Sequence, residues 1–160
     1  MNIQYVAGFV FNPDKTKVAL ILKNRPQWQK GRLNGIGGKI ESHETPISAM
    51  VREFEEEAGV LIPADQWRHF CTVNGINWDV NFFEACGDYA IFSHTDERID
   101  WYSIHHIRNY DHVEQLNWII HLALDHQAKM TEIAYMYDWE TLDNNNCPKC
   151  NKSKIECRCL

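Results

Sequence analysis

"GGKIESHETPISAMVREFEEEAGV" spans Gly37 to Val60. Ile47, Met50, Val51, Phe54 and Ala58 recur at helical spacing and form one apolar stripe. Thr45 is placed to cap the helix start and Pro46 suits its first turn. Gly59 is a natural terminator. The spacing predicts a helix over 45–58 that buries one side and exposes the other.

The segments around it read as strands with a second helix. Ile3–Phe11 (IQYVAGFVF) and Lys17–Asn24 (KVALILKN) are β-branched and apolar, joined by the turn-forming NPDKT, and are expected to form a hairpin. RPQWQKGRLNG reads as a polar loop, and IGGKIES as a short extended piece. WRHFCTVNG and INWDVNFFEACG read as two strands meeting near Asn74-Gly75. Arg98–Ile104 is a further strand, His112–Lys129 an amphipathic helix carrying Val113, Leu116, Ile119, Ile120 and Ala123, and EIAYMYDW a last short strand. No repeat is visible. The fold class is α/β or α+β, a mixed sheet with two main helices.

The acids of the opening stretch are unevenly placed. Glu53, Glu56 and Glu57 stand at i, i+3 and i+4 and so share one helix flank. Like charges at those spacings cost roughly 0.2–0.5 kcal/mol each, and Arg52 alone does not neutralise them. A hard divalent cation prefers oxygen ligands and would offset the repulsion. On residues alone, a solvated acidic face explains the three acids as well as metal binding does. It explains Glu41 and Glu55 better.

The stretch resembles the signature of the Nudix hydrolases: G, five residues, E, seven residues, then R-E-U-x-E-E-x-G-U with U apolar. Gly38, Glu44, Arg52, Glu53, Phe54, Glu56, Glu57, Gly59 and Val60 fill every fixed place, Phe54 being bulkier than the usual aliphatic. The resemblance implies an α/β/α sandwich and hydrolysis of a diphosphate linked to a group X. It implies Glu53, Glu56 and Glu57 as ligands of Mg²⁺ (or Mn²⁺), with the Gly38 carbonyl. Arg52 and Glu44 would support them, and Lys39 would touch phosphate. Glu56 or Glu57 would be the general base, with Glu97 an outside candidate that reads more simply as a loop acid.

Group X is less constrained. A proline about fifteen residues past the signature, a marker of ADP-ribose hydrolases, is absent. So are the NADH-type pattern and the tyrosine of dinucleoside polyphosphate hydrolases. The loop Gly31–Lys39 resembles that of MutT-like oxidised-purine triphosphatases, in which an asparagine at the place of Asn34 bonds the base. Glu114 and Gln115 stand loosely where animal relatives carry two acids. Trp28, Trp78 and Phe83 are stacking candidates, Phe83 reading better as core. The expected substrate is a nucleoside triphosphate, an oxidised purine among the options, cleaved to monophosphate and pyrophosphate. The alternatives are an RNA 5′ end or cap, a dinucleotide, and a non-catalytic binding module.

Composition bounds the rest. The chain has 160 residues, 44% apolar, with a formal charge of −6. That balance argues against a general grip on nucleic acid. No apolar run is long enough to span a bilayer and no leader pattern opens the chain, so a cytoplasmic protein without membrane contact is expected. Residues 1–143 read as the hydrolase domain and 144–160 as a cysteine-rich tail. In that tail Cys147, Cys150, Cys157 and Cys159 could hold a structural Zn²⁺. Residues 147–160 carry Lys149, Lys152, Lys154 and Arg158 against Glu156, a basic surface that could reach an anionic substrate or nucleic acid. The eight histidines show no ligand spacing.

Overall fold

The computed structural model describes residues 2–127 and 130–134. The strands are β1 (Ile3–Phe11), β2 (Lys17–Leu22), β3 (Leu33–Asn34), β4 (Arg68–Asn74), β5 (Trp78–Cys86), β6 (Arg98–Ser103) and β7 (Thr131–Ala134). The helices are α1 (Pro46–Ala58) and α2 (Leu116–Leu124). The seven strands make one mixed sheet, ordered β3-β2-β1-β5-β4-β7, with β6 on the other edge of β2. Its centre is the parallel pairing of β1 with β5, running from Ile3 opposite Trp78 to Phe11 opposite Cys86. The apolar run of β1 suits a central strand covered on both faces.

Alternation along β1 sorts the two layers. Val6 and Val10 face α1, with Ala19, Ile21, Met50, Phe54 and Ala58. Ala7, Phe9 and Phe11 face α2, with Leu20, Leu116, Ile119 and Ile120. The result is the α/β/α sandwich expected from the sequence.

The hairpin of β1 and β2 pairs only at Val10–Ala19 and Phe11–Val18. Beyond that the two strands diverge, and the segment after β3 fills the fork. Ile21 and Leu22 pair with Asn34 and Leu33, Ile36 bridges to Gly8, and Lys39 bridges to Tyr5. This wedge carries the chain from the sheet to the start of α1.

Three boundaries differ from the sequence reading. Leu33–Asn34 is a strand where a polar loop was expected, because β2 lends it a pairing edge. Residues 104–109 form a 3₁₀ turn. The second helix begins at Leu116, not His112, because Leu33 donates to the Asp111 carbonyl and accepts from the Val113 amide, which holds 111–113 extended. Lys129, the later part of EIAYMYDW and the tail cysteines Cys147, Cys150, Cys157 and Cys159 lie outside the described residues.

Candidate active site

The site begins with the way α1 is capped. The Thr45 hydroxyl accepts from the Ser48 amide, and the Ser48 hydroxyl accepts from the Thr45 amide. This reciprocal cap starts the helix at Pro46 and fixes the rotation of every later side chain. At the far end Gly59 adopts φ 68°, in the left-handed region, and its amide donates to the Glu55 carbonyl. Met50, Phe54 and Ala58 are buried against the sheet. Glu53 and Glu57 are thereby carried to the helix flank beside the wedge, while Glu56 stays more open.

Arg52 organises the first group of acids. It grips Glu44 through two parallel bonds, Nε to Oε1 at 2.6 Å and Nη2 to Oε2 at 2.8 Å. Its Nη1 donates to Glu53 at 2.8 Å and Glu56 at 3.1 Å, and its Nη2 also reaches the Lys39 carbonyl at 3.2 Å. The Arg52 hydrogen bonds, with that from the Glu41 amide, hold the Glu44 carboxyl down to about 2. Glu53 is raised, because burial outweighs the help of Arg52.

A second group lies on the other side of the helix end. The Gly37 amide donates to Glu57 at 3.0 Å, and Lys23 Nζ approaches its other oxygen at 4.0 Å. Burial dominates there and pushes Glu57 up to about 7, although Lys23 and the Gly37 amide both oppose the rise. Lys23 pairs more closely with Glu97, at 2.5 Å. Glu97 is 3% exposed and accepts from the Asn24 and Arg25 amides. Its own burial would raise it, but Lys23 and those amides together hold it below the usual carboxylate range.

Five carboxylates therefore face two cations. The fit of a cation can be judged from the donors. All are oxygen, which suits Mg²⁺ or Mn²⁺. Two acids are raised by burial, so the site is short of positive charge. At Gly38 a Cβ would lie 2.5 Å from a Glu53 carboxylate oxygen, so a side chain there would fill the space where carboxylate meets backbone. The Gly38 carbonyl accepts from the Val6 amide at 2.9 Å and keeps a second lone pair. As the side chains stand, no three acids among the described residues converge on one point. Arg52 and the Gly37 amide hold them, and loading would require Glu53, Glu56 and Glu57 to turn from these partners. In donor chemistry the residues fit a hard divalent ion.

The remaining candidates are dispersed. The Asn34 amide donates to Gln29 and its oxygen accepts from the Gly35 amide. Trp28 is exposed in a 3₁₀ turn, and Glu114 is exposed ahead of α2. The Lys39 side chain is exposed beside Arg52. Trp78 packs on the α2 side, whereas Phe83 is buried on the α1 side with its ring on His69. A cleft of about 370 Å³ lined by Leu22, Arg98, Asp100, Tyr102 and Tyr110 lies apart from the glutamates, on the β2–β6 edge.

Lys23 was missed from sequence, and Glu97 was set aside. The available signal for Lys23 was a cation directly after the apolar run Val18–Leu22. Glu97 becomes visible only when β6 pairs with β2 and sets Leu22 opposite Arg98.

A family model described as NUDIX domain matches residues 1–139. No curated protein matches the chain. Among solved structures, a MutT from work on Aliivibrio salmonicida and Vibrio cholerae is 25% identical, with TM-score 0.67, covering 78% of this chain and 98% of that one. The NUDIX domain of Shewanella oneidensis NrtR, complexed with ADP ribose, is 17% identical, with TM-score 0.68, covering 79% and 89%. A bifunctional NMN adenylyltransferase/ADP ribose pyrophosphatase from Francisella tularensis, complexed with AMP and a Mn ion, is 18% identical with TM-score 0.63. It covers 78% of this chain and 42% of that one. No helix among the described residues is long and apolar enough to cross a membrane.

Proposed function

The chain belongs to the Nudix family of pyrophosphohydrolases, and from that premise we propose that it hydrolyses a nucleoside triphosphate to monophosphate and pyrophosphate. The observation that carries this reading is the α1 flank. Glu53 lies against the bare Gly38 backbone and Glu57 against the Gly37 amide, and both are raised by desolvation. Water-exposed decoration would not leave carboxylates in that condition.

Glu53, Glu56, Glu57 and the Gly38 carbonyl would hold Mg²⁺ or Mn²⁺. Bound there, the ion would neutralise phosphate oxygens and make water more acidic. Arg52, anchored on Glu44, gathers Glu53 and Glu56 on one flank, from which an ion would draw them. Glu56 or Glu57, neighbours on the same flank, would accept the proton of the attacking water. Lys23 stands close enough to Glu57 to meet incoming phosphate, with Glu97 fixing it in place. Lys39 is open to solvent beside Arg52 and free to reach the outer phosphates.

The nucleotide reading rests on Asn34 in the wedge, the MutT-like loop around it and the exposed Trp28 as a stacking surface. It is tested by phosphate and pyrophosphate release from canonical and oxidised nucleoside triphosphates, ADP-ribose, dinucleoside polyphosphates and capped RNA, each with Mg²⁺. The highest kcat/KM is expected on a purine nucleoside triphosphate. Preference for ADP-ribose or capped RNA would overturn the substrate while leaving the chemistry intact.

The tail cysteines Cys147, Cys150, Cys157 and Cys159 offer four thiolates, a set suited to structural Zn²⁺. Elemental analysis of the purified chain is expected to find one zinc, lost in Cys147→Ser. Absence of zinc from both would overturn this assignment.

A further inference from the structure

The segment from Gly87 to Glu97 has no regular structure, yet it is tied to α1 at a specific place. The Phe92 amide donates to the Ala58 carbonyl at 3.3 Å, and the His94 amide donates to the Glu57 carbonyl at 2.9 Å. Carbonyls in the last turn of a helix lack intrahelical partners, so this loop supplies the C-terminal cap that Gly59 leaves incomplete. The Phe92 ring lies over Gly59: a Cβ there would be 2.4 Å from the ring tip. His94 packs edge-on against the same ring, with centroids 5.8 Å apart. Phe92 is 53% exposed, so its ring is not core material.

The other end of the segment is closed just as specifically. Ser93 Oγ accepts from the Ile99 amide at 2.7 Å, which folds 93–99 into a tight loop. Within it the Asp96 carbonyl accepts from Asn24, its side chain pairs with Arg25, and Glu97 meets Lys23. Only four residues separate Phe92 on the helix end from Glu97 at the site. The turn of α1 that presents Glu56 and Glu57 is thus latched to the loop that presents Glu97.

We propose that Phe92 is a positioning residue: by seating its ring on Gly59 it clips the 92–97 loop to the end of α1 and so fixes Glu97, and through it Lys23, beside Glu57. This rests on the hydrolase reading above. It also gives Gly59 a second requirement: a side chain there would be strained at φ 68° and would displace the ring.

The test is a double-mutant cycle of Phe92→Ala and Glu97→Gln. It is read as kcat and KM on the best substrate of the panel and, without turnover, as hydrogen–deuterium exchange over 92–97. Phe92→Ala is expected to lower kcat about tenfold or more with KM nearly unchanged and to speed exchange at His94. It should add nothing in the Glu97→Gln background, since both act through one group. Phe92→Tyr, which keeps the ring, should restore kcat and protection. The clip is overturned if Phe92→Ala leaves kcat and exchange at wild-type values, or if its loss simply adds to that of Glu97→Gln. Phe92→Leu, a smaller change, stands in if the alanine variant does not fold. Should Glu97→Gln itself be fully active, the clip falls along with the role given to Glu97. Should Glu97→Gln be inactive and Phe92→Ala normal, the clip alone falls.

Discussion

At the scale of single residues the site turns on Glu57. In the unfolded chain this acid ionises near 4.5, and in the fold burial holds its proton until about 7. Stability of the metal-free protein should therefore fall as pH rises through that interval, by about 3 kcal/mol for this group alone. On the proposed reading, a divalent ion taking the proton's place would remove the cost. Glu44 has the opposite sign: its contribution is complete above its unfolded value and is lost only as pH falls toward about 2, so it stays constant across the window. The rise in melting temperature on adding Mg²⁺ should accordingly be small at pH 5 and grow toward pH 8. An equal rise at every pH would contradict the assignment of Glu57. Glu57→Gln should keep the shape of the side chain without the charge. Turnover should drop at least about 100-fold, while the metal-free variant at pH 8 should melt no lower than wild type by calorimetry.

At the scale of elements, α1 was legible in sequence because its signals are local. Thr45, Pro46, the apolar stripe and Gly59 all fall within fourteen residues of one another, and the structure uses each of them. Thr45→Ala should cost about 1 kcal/mol in chemical denaturation while leaving kcat near wild type, since the cap touches no acid. β3 was not legible: two residues in a polar loop carry no period, and only the edge of β2 makes them a strand. The shortened start of α2 has the same origin, since Leu33 holds 111–113 extended through two backbone hydrogen bonds that no helical periodicity can foretell. Lys23 was overlooked, and Glu97 set aside, for this reason too. Their meeting depends on a strand pairing between residues more than seventy apart.

At the scale of the whole molecule, the layered architecture followed from two amphipathic helices and several buried strands, whereas strand order did not. The parallel contact of β1 with β5 joins residues some seventy-five apart, and nothing local marks it. The family match ends at residue 139, ahead of the cysteine tail. A chain ending at residue 143 is therefore expected to hydrolyse nucleotide at the rate of the full chain and to lose only zinc. A large fall in kcat/KM on truncation would show that the tail joins the reaction. The central claim is that the glutamates of α1 drive metal-dependent cleavage of a diphosphate. It is tested most directly by pyrophosphate release from purine nucleoside triphosphates, comparing wild type with Glu56→Gln and Glu57→Gln, with Mg²⁺ and with EDTA. The account predicts turnover by wild type that needs Mg²⁺ and nearly vanishes in both folded variants; turnover that survives EDTA, or two variants as active as wild type, would contradict it.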